Sequence, residues 1–66
     1  MVGVKELDVV ALTEDLPEHE LKQGQMGTIV HLLAPGVFEV EFVDDRGKTH
    51  AMLTLHSEQL RPVHPE

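Results

Sequence analysis

Five histidines are the side chains best suited to chemistry in this 66-residue chain, and no cysteine accompanies them. A metal ion would need His19, His31, His50, His56 or His64 to converge with carboxylates, since thiolate sites are excluded. No ligand spacing announces such a cluster. His50 and His56 are six residues apart in and just beyond one extended stretch, which separates them by roughly 20 Å. Ordinary surface histidines are therefore expected, with no cofactor and no resident metal. Nucleophilic catalysis has less to draw on. Ser57 is the only serine, and its position suits a cap rather than a nucleophile held beside a base. Glu14-Asp15 and Asp44-Asp45 are paired carboxylates, but acid–base work needs a pocket that pushes their affinities for protons apart. A barrel of this size is filled by its own side chains. The chain is expected to be non-catalytic.

Charge narrows the partners. Twelve Asp and Glu oppose five Lys and Arg, for a formal net charge of −7. Nucleic-acid binders displace counterions from phosphates with clustered cations, so neither DNA nor RNA is an expected ligand. Base stacking, proline-rich grooves and methyl-lysine cages all need surface aromatics. The chain has two Phe, no Trp and no Tyr. The carboxylates are bunched instead. Glu6, Asp8, Glu14, Asp15, Glu18 and Glu20 precede the first Lys or Arg after Lys5. The plain interpretation is a solvated loop that keeps a small domain soluble. The sharper one is an electrostatic footprint for a basic protein. No apolar run approaches the length of a membrane helix, and the first residues lack the features of a signal peptide. A cytoplasmic location is expected.

The elements that must position these residues are short strands. Leu7–Thr13 predicts a first strand, with Val10 and Leu12 inward. Residues 14–23 break the pattern as a long loop, and Leu16 and Leu21 are expected to tuck it against the core. Pro17 suits the start of a single helical turn. Residues 25–32 predict a second strand. Gly27 inside it signals a bulge, a sharp bend or a close backbone approach. Ala34-Pro35-Gly36 marks a turn. Val37–Val43 alternates strictly, with Phe38, Val40 and Phe42 on one face and Glu39 and Glu41 on the other. Asp44–Gly47 predicts a tight hairpin turn. Lys48–Leu55 predicts a fourth strand, with Ala51, Leu53 and Leu55 inward. Residues 56–60 predict one 3₁₀ turn opened by Ser57. Residues 61–63 predict a short edge strand that tolerates Pro62. The expected fold is all-β. It is one domain over residues 1–66, a small five-stranded SH3-like barrel with a long first loop and a 3₁₀ turn before the last strand.

Those residues also carry a resemblance. Lys5-Glu-Leu-Asp-Val-Val-Ala-Leu-Thr-Glu-Asp-Leu-Pro-Glu-His19 is followed by Leu21-Lys-Gln-Gly24, Gly27-Thr-Ile-Val30, Glu39-Val-Glu-Phe42 and Gln59-Leu-Arg-Pro62. Together they resemble a family of short stand-alone bacterial proteins of unknown function. The resemblance spans nearly the whole chain. It implies an SH3-like barrel and transfers no catalytic or ligand residues. It also implies a gene arrangement beside another short protein, which suits an antitoxin, immunity or accessory role. The chain departs from the pattern at Glu20, where glycine would permit a tighter turn.

Protein binding is the function left. Glu14, Asp15, Glu18, His19 and Glu20 are the expected acidic contact. Val43 and Met52, with Leu33, are candidates for an outward apolar patch. Neutralising Glu14, Asp15, Glu18 and Glu20 is expected to slow association and leave the fold intact. The alternatives are an accessory subunit of a larger enzyme, docking through Met52 and Val43, and a homo-oligomer with a ligand or metal site at its interface.

Overall fold

The computed structural model describes residues 5–63. Five strands form one antiparallel sheet: β1 (Val9–Leu12), β2 (Met26–Ala34), β3 (Val37–Val43), β4 (Thr49–His56) and β5 (Leu60–Pro62). Their order across the sheet is β4-β3-β2-β1-β5. Consecutive strands β1 to β4 form a meander, and β5 returns to pair with β1. Two 3₁₀ turns complete the elements of the described residues, Pro17–His19 in the first loop and Ser57–Gln59 before β5. The all-β expectation is met, with the long first loop and the 3₁₀ turn before the last strand in place.

Alternation decides which residues enter the core. Phe38, Val40 and Phe42 of β3 are buried with Val10 and Leu12 of β1, Ile29 of β2, Leu55 of β4 and Leu60 of β5. Ala51 and Leu53 face the same way but are only half-buried. Gly27 answers to a close approach. A Cβ there would lie 2.8 Å from Phe42 Cε1 and 2.9 Å from the Glu41 carbonyl oxygen. Glycine is thus what lets the Phe42 ring cross β2 at full burial. Both hairpin turns behave as their sequences require. Gly36 and Gly47 have φ of 75° and 80°. The Asp44 side chain accepts from the Arg46 and Lys48 backbone N–H groups at 2.8 and 3.0 Å, a local bond that favours Asp at such a turn.

Several boundaries differ from the sequence reading, each for a local reason. The first strand starts at Val9, not Leu7. Leu7 has φ of 71° and is exposed, in a turn closed by Asp8 N–H to the Lys5 carbonyl at 3.1 Å. β2 runs on to Ala34, absorbing register shifts between Ile29 and His31 and between Leu32 and Ala34. β5 is Leu60–Pro62, one residue earlier than expected. Ser57 does not cap the second 3₁₀ turn. His56 is the N-cap, and its N–H donates to Gln59 Oε1 at 2.9 Å. The Gln59 amide oxygen, reaching back, satisfies the N–H of the N-cap residue.

Candidate functional site

The loop between β1 and β2 is a folded lobe anchored to the sheet, with its charged side chains in solvent. Leu16 and Leu21 pair across it, with Leu16 N–H to the Leu21 carbonyl at 2.9 Å and the reverse bond at 3.2 Å. Both side chains are buried in the core. Between them the chain makes the Pro17–His19 turn. Glu20 closes that turn in the left-handed region, φ 59° and ψ 38°, with its N–H on the Pro17 carbonyl. Glycine is the residue expected here, and Glu20 holds the left-handed conformation that glycine adopts most readily.

Further bonds lash the lobe to the sheet. The Gly24 N–H donates to the Leu12 carbonyl at 2.8 Å, and the Leu12 N–H to the Gln25 carbonyl at 3.0 Å. Asp15 Oδ1 accepts from the Gln23 N–H at 2.8 Å, closing the loop on itself. Thr13 Oγ1 donates to the Glu58 carbonyl at 2.8 Å, and Glu14 Oε2 accepts from Gln59 Nε2 at 3.2 Å. These two bonds join the loop to the second 3₁₀ turn. On the β4 side, His50 Nε2 lies 3.1 Å from the His19 carbonyl oxygen.

This anchoring divides the acidic residues. All of Glu14, Asp15, Glu18, His19 and Glu20 are exposed. Asp15 and Glu14 each accept a hydrogen bond that ties the loop, from the Gln23 N–H and from Gln59 Nε2 respectively. Glu18 and Glu20 make no side-chain hydrogen bond or ion pair to another described residue. Asp15, Pro17, Glu20, Leu21 and Lys22 line a surface depression of about 390 Å³. Lys22 is the only cation in the lobe.

Val43 and Met52 are both 48% exposed. The register places Met52 opposite Glu41 on the outward face. Val43 lies instead beside Val9 and Met26, lining a groove of about 400 Å³ with Gly27, Thr28, Glu41 and Asp45. Leu33 is exposed at the far end of β2 and does not line that groove. Met26 was within reach of sequence reasoning, because it shares the outward face with Thr28. The anchors Thr13, Gln59 and His50 were not. Their partners are distant in sequence, and no local pattern marks them.

Among the described residues, no three His, Asp or Glu side chains come together so as to hold a metal ion. His64 lies outside the described residues. His31 stands 3.9 Å from Glu6, both well exposed. Among the described residues, no helix is long and apolar enough to cross a membrane.

Fold and surface define a class, a small all-β module bearing a tethered acidic lobe. The chain belongs to the family described as a domain of unknown function (DUF4926), which matches residues 6–62. Comparison with curated proteins and with solved structures returns no match.

Proposed function

We propose that this protein is a non-catalytic, cytoplasmic binding module of SH3-like barrel form, whose acidic lobe docks on a basic protein encoded nearby. The lobe masks the partner's cationic surface, as an antitoxin, immunity protein or regulatory subunit does. One observation carries the reading. Glu18 and Glu20 stand exposed on a segment held by backbone bonds, buried leucines and side-chain ties. A backbone already held in place loses little freedom on binding, and clustered charge of one sign steers an oppositely charged partner.

The strand order and the 3₁₀ turn before β5 support the SH3-like assignment. The excess of carboxylates over cations supports a basic protein over nucleic acid as ligand. Co-expression with the product of the neighbouring gene tests the proposal. The partner should be retained at low salt by the wild type and released by Glu18→Gln/Glu20→Gln. Equal retention by both proteins, unaffected by salt, removes the proposal's basis.

A second reading draws on the Val9, Met26 and Val43 groove. As an accessory subunit, the protein would dock through that surface, and its binding would resist salt.

A further inference from the structure

The sheet has two edges, and they are treated differently. β5 is three residues long and carries Arg61 and Pro62, both of which discourage pairing with another strand. β4 is eight residues long, Thr-His-Ala-Met-Leu-Thr-Leu-His, with no Lys, Arg, Asp, Glu or Pro. Only its start is blunted. The register with β3 slips between Phe42 and Val43, which leaves His50 as the extra residue of a bulge, and the His50 ring holds the first-loop carbonyl.

Backbone geometry says which groups of β4 are open. The Ser57 N–H donates to the Gly36 carbonyl, towards β3. Backbone direction alternates along a strand, so residues 51, 53 and 55 also bond to β3. The even-numbered residues point the other way, and His56 shows it by donating to Gln59 Oε1. Met52 and Thr54 therefore present both N–H and C=O at the edge, and no described residue bonds them there. The side chains tell the same story. Ala51 and Leu53 face the core yet remain half-exposed, so the core is uncovered along β4.

We infer that β4 pairs with β4 of a second copy of this chain, antiparallel, about a two-fold axis at Leu53. In that register Met52 exchanges two hydrogen bonds with the partner's Thr54, and Thr54 two with the partner's Met52. Leu53 meets the partner's Leu53 in the closely spaced, non-hydrogen-bonded position, and each covers the other's exposed face. A two-fold contact consumes the one open edge and closes at two copies. A self-partner fits for two reasons. The strip is neutral in a chain of net charge −7, so it neither draws a basic protein nor repels its own copy. A 66-residue chain without cysteine also has a small core that association can complete.

Sedimentation of the wild type and of Met52→Lys decides the matter. Met52 points outward, so the lysine leaves the core alone, and circular dichroism checks that the fold survives. The wild type should sediment as a concentration-dependent dimer, and Met52→Lys should raise the dissociation constant by at least about tenfold. Leu53→Cys tests the register. Air oxidation should link two copies through the substituted position much faster than in Thr49→Cys, since directly opposed residues in that position suit a disulfide. A wild type that stays monomeric up to about 1 mM, or a dimer indifferent to Met52→Lys, overturns the inference. Equal cross-linking of the two cysteine variants overturns the register.

Discussion

Gly27→Ala should destabilise this protein by a large fraction of its total stability. The added Cβ would sit 2.8 and 2.9 Å from two ring carbons of Phe42 and 2.9 Å from the Glu41 carbonyl oxygen. Phe42 is fully buried, and the carbonyl belongs to the β3 backbone. Overpacking a tight core costs about 1–3 kcal/mol, and the backbone contact puts this site in the upper half. Relief of glycine's unfolded-state entropy offsets about 0.5–1 kcal/mol. The net loss is about 2 kcal/mol, by difference. A chain of 66 residues has a total stability of roughly 3–10 kcal/mol. At about 4–8 °C per kcal/mol, the midpoint should fall by roughly 8–16 °C. The chain has no Trp or Tyr, so urea and thermal unfolding are followed by far-ultraviolet circular dichroism. The urea midpoint should fall with the slope unchanged. Phe42→Leu added to Gly27→Ala removes the ring contacts and leaves the carbonyl contact. The double variant should be less destabilised than the sum of the singles by about 1 kcal/mol. A Gly27→Ala protein within about 0.5 kcal/mol of wild type would refute the close-approach account. Strict additivity with Phe42→Leu would show that the ring is not the obstacle.

The loop supplies further expectations. Glu20→Gly should raise the thermal midpoint, because a left-handed non-glycine residue costs about 1–2 kcal/mol and glycine's own entropy cancels only part of that; a lower midpoint would show that the Glu20 side chain stabilises the lobe. Asp15→Ala should lower stability by about 1 kcal/mol through the lost bond to the Gln23 N–H, whereas Glu18→Gln should leave urea unfolding unchanged. Asp44→Ala should cost about 1 kcal/mol by releasing the two hairpin N–H groups, visible as faster amide exchange at Arg46 and Lys48.

Much of the fold was legible because periodicity and turn residues act locally. The alternation of Phe38, Val40 and Phe42 placed β3 to the residue, and Gly36 and Gly47 marked both hairpin turns. Gly27 stood out as a bulge, a bend or a close approach, and nothing local could decide among them or name Phe42 as the residue approaching. Leu16 and Leu21 stood out as the apolar pair in a charged segment, and both are buried. The division of labour inside the acidic loop was hidden. Whether a carboxylate is a contact or a tie depends on Gln23 across the loop for Asp15 and on Gln59, 45 residues away, for Glu14. The β4 edge was hidden for the same reason. Its neutral sequence is visible, but its position at the end of the sheet follows only from how the other four strands pair.

The association rate of the proposed basic partner, compared between wild type and Glu18→Gln/Glu20→Gln across a salt series, tests the central claim most directly. The account predicts that wild-type association slows steeply as salt rises, and that the variant, equally stable, associates several-fold more slowly at low salt with a shallower salt dependence. Identical rates for the two proteins at every salt concentration would contradict it.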